Sequence, residues 1–494
     1  VSSPPSPARR LVRSVRPPSR LAGRLAVQNL LYALGDGIFM TGSLVFFTEV
    51  VGLSFTQVGL GLTLAGIASF LAALPMGKLV DRFGPKRMWA LSAAGQAATF
   101  AVWPFIENFA GYLAMAITME VIGALGGAAH GAYTIDVLPS EERVLSRAYM
   151  YSALNLGFTL GALVGGVALA AESNQLIRII PWFTAVVFAV NCAFVLRLPN
   201  ASHDDRTPEE RKTKVPGPGP LRNPGWLGVT FFGGVLWTNQ VLLHLVIPAW
   251  LLAQTDAPRV LVALLLGTNT VMCIFLPMAA ARGIRDATTG LRGIRVSTAF
   301  FILSCAITVA THETVGWLTV VLLLLGHMAL TGAELFLSAA SWSFEADLMD
   351  PRRRGEYQGV SELTGTLGRV WAPALYMFLA MHWGVAGWLL IALIIVAASM
   401  GIHPSVRMAE RFLVQHGPPP EAAVDAPELE DVLPDASTGP LGAARALQVA
   451  QVALGSGQER APVADQVEVG PLGLAQTPVT DLQDPRTGHR GEDG

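Results

Sequence analysis

The chain is short of charge and nearly free of cysteine. Only 14% of its 494 residues are Asp, Glu, Lys or Arg, against 52% hydrophobic residues. A soluble domain carries about 25% charged residues, so the polar surface needed to coat a globule of this length is missing. Three cysteines, Cys192, Cys273 and Cys305, lie far apart in separate apolar stretches. That placement excludes a disulfide framework and a cysteine metal site, and no cofactor is called for. The sequence contains neither GxxxxGK[ST] nor HExxH, and no nucleophile–base set stands out, so neither nucleotide hydrolysis nor another enzyme activity is expected. The net charge of −2, gathered in connecting segments, leaves no footprint for nucleic acid. The Pro/Ser/Arg-rich start does not read as a signal peptide, because the first apolar run is too long.

What the chain does have is a succession of apolar runs near 20 residues, the length that spans a hydrocarbon core of ~30 Å. They fall at 26–48, 57–76, 88–106, 111–135, 149–170 and 179–197, then at 226–252, 260–281, 296–311, 316–342, 358–380 and 385–402. The expected fold is therefore all-α and polytopic, with twelve transmembrane helices in two pseudo-symmetric six-helix halves. Lys and Arg collect on one side: Arg9 to Arg24 before the first span, Lys78 to Arg87 after the second, Arg143 and Arg147 after the fourth. Further clusters lie in the central connector, at Arg282–Arg295 and at Arg352–Arg354, whereas the opposite loops hold little beyond Arg178 and Arg259. The positive-inside rule then places both termini and the connector in the cytoplasm, in a multi-pass plasma-membrane protein.

The expected segments are a basic tail (1–24), a first half (25–198), a linker (199–224), a second half (225–403) and a Pro/Ala/Gly/acid-rich tail (404–494) without an apolar face. The halves echo each other. "EERVLSRAYMYSALNLGFTLG" (141–161) enters the fifth span and "PRRRGEYQGVSELTGTLGRVW" (351–371) enters the eleventh; at an offset of 208, Tyr149 falls on Tyr357 and Gly157 on Gly365. Internal repeats of this kind build many secondary transporters.

The loop after the second span reads "GKLVDRFGPKR" (77–87). Gly77 and Gly84 permit a tight turn, Asp81 and Arg82 supply opposite charges, and Lys86 and Arg87 anchor the inner face. The segment resembles the signature G-x-L-x-D-R-x-G-x-[RK]-[RK] of the major facilitator superfamily. That resemblance, over roughly residues 25–402, implies alternating access between two halves. It also implies a latch in which the Asp faces the start of the eleventh span and the basic residues face an acid at the inner end of the fourth, where Asp136 stands. "GFTLGALVGG" (157–166) is similar to the family's antiporter motif, with Gly157, Gly161, Gly165 and Gly166 in place but Ala162 where the proline belongs. Glycines four apart also suit plain helix packing. Relatives place an Arg in the fourth span; here "EVIGALGGAA" puts Glu120 at that position.

Ionisable groups inside spans are costly and mark sites or partners. They occur as Asp36 in the first span, Glu120 and His130 in the fourth, His244 in the seventh, His327 and Glu334 in the tenth, and Glu362 and Arg369 in the eleventh. The resemblance assigns the central cavity to the first, fourth, seventh and tenth spans. Candidate substrate or proton groups are Asp36, Glu120, His130, Asn239, His244, Glu334 and Arg369. The alternatives are a structural pairing of Glu120 with Arg369, and packed, hydrogen-bonded imidazoles at the histidines. The residues point to a secondary transporter exporting a small amphipathic molecule in exchange for protons. A symporter importing a sugar, peptide or organic acid, and a membrane sensor whose tail recruits an unidentified partner, stay open as alternatives. Small-molecule substrate, protons and the lipid bilayer are the expected partners.

Overall fold

The computed structural model describes residues 16–170, 174–205 and 217–416. The start of the chain, most of the linker and the tail past 416 lie outside the described residues. Within them the chain folds as twelve helical rods. They are α1 (Arg20–Val45), α2 (Phe55–Phe83), α3 (Pro85–Val102), α4 (Phe109–Val137), α5 (Arg143–Ala170) and α6 (Asn174–Leu196). After the linker come α7 (Pro224–Gln254), α8 (Leu261–Phe275), α9 (Ala287–Ala310) and α10 (Trp317–Asp347). The stretch Arg354–His416 then folds back on itself as α11 and α12, which meet at Gly384 with φ 51°. A side chain would strain that left-handed backbone. Eight of these stretches are long and apolar enough to cross a membrane, and α8 is a shorter apolar helix of 15 residues.

Capping side chains set where the rods begin. Ser19, Asn108 and Asn223 accept hydrogen bonds from the first turns of α1, α4 and α7, while Ser54–Gln57 and Asp286–Thr289 form reciprocal capping boxes on α2 and α9. Each satisfies backbone N–H groups that the helix itself leaves free. These caps explain where apolar length misjudges the boundaries. The ninth span was expected from 296, yet α9 begins at Ala287 and carries Arg292 and Arg295 in its first turns. The twelfth was expected to end at 402, yet α12 runs on to His416. Hydropathy marks the slice of helix thick enough for lipid, not the helix. Pro277 ends α8 early by removing a backbone donor, leaving a separate turn at Pro277–Ala280.

In the first half α1 packs on α5 and α6, α2 on α4, and α3 on α4 and α6; in the second, α9 packs on α10 and α7 on the α11–α12 rod. The α1–α5 seam shows how small residues make this possible. A Cβ on Gly157, Gly161 or Gly165 would strike the carbonyl oxygen of Leu30, Leu34 or Ile38 respectively. Backbone therefore lies against backbone, and dispersion over the whole seam holds it. Gly166 takes no part: turned about 100° away by the helix, it has nothing within 4 Å of a Cβ.

Candidate functional site

The two halves meet at the end of the bundle that carries the Gly77–Arg87 loop. Gly84 makes the turn there with φ 96°. Asp81, in the last turns of α2, reaches across to the other half, where its carboxylate accepts from Gly355 N at 2.7 Å and Glu356 N at 2.8 Å. Those are first-turn donors of α11, so one half caps a helix of the other at its positive end. Gly77 and Gly355 lie back to back, with no room for a side chain on either.

Two ion pairs flank this contact. Arg354 Nη1 binds Asp136 Oδ1 at 2.7 Å, and Arg147 Nη1 binds Glu345 Oε2. The arrangement is reciprocal: each half gives an acid near the end of its fourth helix and an arginine from the start of its fifth. Lys86 turns to the beginning of the linker, donating through Nζ to Asn200 at 3.0 Å and through its backbone N to Asp204 at 3.4 Å. Arg82 lies exposed over the Phe83 ring, 5.2 Å from its centroid, and Arg87 is exposed.

Away from this end the halves part. Along α4, Asp136 holds Arg354, a Cβ on Gly131 would lie 2.7 Å from the Gln358 amide carbon, and one on Gly127 would lie 3.8 Å from Glu362 Oε1. At Gly123 nothing remains within 4 Å. Along α2 the same sequence runs from Gly77 against Gly355, through Ala73 against Gly359, to open space at Gly66. The opening holds a cavity of about 580 Å3. Asp36 of α1, Glu120 and His130 of α4, Arg147 of α5 and Glu362 of α11 line it. Asp36 sits between two close approaches, since a Cβ on Gly35 would meet Phe188 at 2.9 Å and one on Gly37 the Phe158 carbonyl at 2.8 Å. With those flanks held by α6 and α5, the aspartate faces inward. Glu120 is exposed to the cavity, and neither carboxylate forms an ion pair among the described residues.

Residues 25–373 match the family model described as Major Facilitator Superfamily. The chain belongs to that superfamily. It is a multi-pass membrane protein. It is 26% identical over 195 residues to multidrug resistance protein 1 of Bacillus subtilis strain 168, covering 38% of this chain and 47% of that protein. The chain thus spans about half the length of this relative. It is 22% identical over 342 residues to the class C tetracycline resistance protein of Escherichia coli, covering 65% of this chain and 81% of that one. Among solved structures, a bacterial homologue of the iron transporter ferroportin in an outward-facing state superposes with a TM-score of 0.61 at 14% identity, covering 80% of this chain and 100% of that one. The human organic anion transporter MFSD10 does so with 0.55 at 18%, covering 78% and 100%. At those identities the solved structures show the fold alone.

The remaining candidates of this superfamily member divide by location. Glu334 is 3% exposed and accepts from Tyr151 Oη at 2.6 Å and Asn269 Nδ2 at 3.1 Å. Tyr151 belongs to the opposite half and lines the cavity, so it stands between the cavity and this buried carboxylate. The His130 ring packs 4.9 Å from that of Trp89, its Nε2 buried without a hydrogen-bond partner among the described residues. Asn239 is 1% exposed, and neither atom of its amide finds a partner among them. His244 is exposed in a π-helical turn, Leu242–Val246. Asn239 and His244 are not in the wall of the 580 Å3 cavity. The Arg369 side chain lies outside the described residues, and its expected pairing with it.

Sequence reading passed over Tyr151, Glu345 and Gln358, and it counted Arg147 and Arg354 only as orienting charges. Each stands close to a span end, where a polar residue carries no surprise. Their partners lie some 200 residues away in sequence, and only the packing of the halves brings them together.

Proposed function

We propose that this protein exports a small amphipathic molecule in exchange for protons, opening one cavity alternately to either side of the plasma membrane. The observation that carries the reading is the pair Asp36 and Glu120. They face a cavity sealed at one end by the inter-half contacts, and no cation engages them among the described residues. A carboxylate in such a place holds either a proton or a cationic substrate, and that competition couples the two fluxes. With the motif end, both termini and the linker cytoplasmic, the arrangement is the outward-facing state. Rocking of the halves 25–198 and 225–403 would break Asp81–α11, Arg354–Asp136 and Arg147–Glu345 and open the cavity inward. The same motion would part Tyr151 from Glu334, which makes Glu334 a second proton-carrying group whose bonding changes with the state. Export, in preference to import, is supported by the names of the two resistance proteins.

The test is compound-driven proton movement in liposomes holding the purified protein and a pH-sensitive dye, under an imposed pH gradient. Proton flux that appears with an added amphipath and disappears in Glu120→Gln supports exchange. Flux in the opposite sense, proton and compound moving together, would replace the exporter with a symporter. Flux that Glu120→Gln and Asp36→Asn both leave intact would remove these carboxylates from the mechanism.

A further inference from the structure

Beside the Asp81–α11 contact, the motif end holds a hollow of about 370 Å3. Three stretches of chain wall it: Leu74 and Lys78 of α2, the linker's last turn Gly219–Arg222, and Arg353 and Glu356 around the start of α11. It therefore spans the seam between the halves, with the end of the linker as its third side. The hollow shares no lining residue with the 580 Å3 cavity. It shares none either with a cavity of about 300 Å3 that Trp226, Trp237, Trp342 and Glu362 line beside the break in α7 at Trp237–Thr238. The linker's end is held in place at the hollow. Arg353 donates through Nη2 to the Gly217 carbonyl at 2.8 Å. A Cβ on Gly219 would stand 3.1 Å from both Arg353 Nη1 and Glu356 Oε2, so a side chain there would crowd that pair. Pro220–Arg222 forms a short 3-10 turn, and Asn223 both caps α7 and donates to Tyr357 Oη of α11 at 3.3 Å. The backbone that carries Arg222 is thereby tied to α11.

Charge in this wall is one-sided. Glu356 is its one acid, and Arg353 Nη1 lies 3.7 Å from it. Lys78 and Arg222 are exposed, and neither forms an ion pair or a side-chain hydrogen bond among the described residues. The positive-inside rule accounts for cations on this side of the membrane. It does not account for three that converge on one hollow from three distant segments. Apolar side chains stand beside them. Leu74 and Leu221 line the hollow, and Leu71, one turn before Leu74 on the same face of α2, continues that face toward the middle of the span. Leu71 is 68% exposed and Leu221 54%. We propose that the hollow seats the headgroup of an anionic phospholipid of the cytoplasmic leaflet, its phosphate between Lys78 and Arg222 and its chains along Leu71, Leu74 and Leu221. Basic pockets between helices at the cytoplasmic face suit such headgroups. A soluble phosphate would meet the same cations but leave the leucines uncovered. The bound headgroup joins α2 of one half to the linker and α11 of the other, so it favours the state closed at the motif end. The choice of leaflet and this effect rest on the cytoplasmic placing of that end and on the rocking of the halves.

The experiment titrates three probes onto the purified full-length protein and counts what binds by native mass spectrometry: dioleoyl phosphatidylglycerol, dioleoyl phosphatidylcholine and glycerol 3-phosphate. Phosphatidylglycerol should bind at least about tenfold more tightly than either other probe. Lys78→Ala and Arg222→Ala should each weaken it about fivefold, and the two together about 25-fold. Lys78→Arg with Arg222→Lys should keep the affinity. Arg282→Ala with Arg285→Ala, which removes two exposed cations ahead of α9, should leave it unchanged. An unchanged melting temperature certifies the fold of each variant. Equal affinity for the two lipids, native affinity in the Lys78/Arg222 double alanine variant, or an equal loss in the Arg282/Arg285 variant would each overturn the site. Glycerol 3-phosphate bound as tightly as the lipid would make it a soluble-phosphate site and overturn the lipid assignment. In nanodiscs, spin labels across the motif end should report the closed state about fivefold more populated with phosphatidylglycerol present than in phosphatidylcholine alone, a difference the double alanine variant should lose. The same population in both lipids would overturn the bridge between the halves. Selective lipid binding without compound-driven proton flux would overturn proton exchange and leave this site standing.

Discussion

The two halves share one plan and differ in the walls they give the centre. The first half supplies carboxylates and amides: Asp36, Glu120 and a Gln28–Asn191 hydrogen bond at 3.1 Å that ties α1 to α6 behind them. The second supplies Glu362, which lines both cavities, together with Trp226, Trp237 and Trp342 beside a broken helix. Duplication explains the plan, because helix packing asks only for small residues at the seams and apolar residues elsewhere. It does not explain the walls, where no packing constraint forces the halves to agree.

The largest effect tests the polar wall. Asp36→Asn combined with Glu120→Gln should abolish compound-driven proton flux and lower the affinity for an organic cation by about 100-fold, near 2.7 kcal/mol, in the range for stripping the counter-charge from a buried ionic contact. If the double variant still exchanges protons, the comparison collapses, and the buried Glu334 inherits the coupling role.

Next in size come the two ion pairs at the motif end, which the halves donate reciprocally. Arg147 and Glu345 are 14% and 20% exposed, and Arg354 and Asp136 are 12% and 16% exposed. Removing one partner strands a mostly desolvated charge, so Arg147→Ala and Arg354→Ala should each shift the population toward the state open at that end. The shift should be roughly tenfold and measurable as distances between spin labels across the two ends. Near-equal shifts would mean that the halves share the latch evenly. Charge reversal of both partners, Arg147→Glu with Glu345→Arg, should recover much of the loss, and the double-mutant cycle isolates the pair.

The reach of the sequence follows the same division. Twelve rods and the approach of Asp81 to the start of α11 could be read in advance, because apolar length and the GKLVDRFGPKR signature are local in the chain. That Asp36 and Glu120 line a cavity could be read too, since an acid inside a membrane span stands out by its cost. What was illegible depends on distance. Tyr151 meets Glu334, Gln358 meets Gly131 and Arg354 meets Asp136 only after the two halves close. The cavity beside Trp226, Trp237 and Trp342 was hidden for another reason: indoles at span ends also serve as interfacial anchors, and the break at Trp237–Thr238 has no proline beside it. Gly166 erred in the opposite direction, because a motif match says nothing about which glycine faces the neighbouring helix.

The smallest effect sets two caps against each other. Asp81 and Asp286 are both aspartates at helix N-termini, but Asp81 caps α11 across the halves while Asp286 caps its own α9. Asp286→Ala should cost about 1 kcal/mol of stability and leave transport and spin-label distances unchanged. Asp81→Ala should alter both. The Asp286 carboxyl is held below its usual pKa by the backbone N–H of Thr289. A carboxyl whose folded value is depressed contributes its full stability above the unfolded value, near 3.9, and loses it as pH falls through the lower folded value. The melting-temperature difference between the native chain and Asp286→Ala should therefore be steady at neutral pH and shrink only at strongly acid pH. A difference that vanished already near neutrality would show that the carboxylate charge is not what holds the start of α9. If Asp286→Ala moved the spin-label distances as Asp81→Ala does, a cap within one half would be acting on both, and the division between local and inter-half contacts would have to be redrawn.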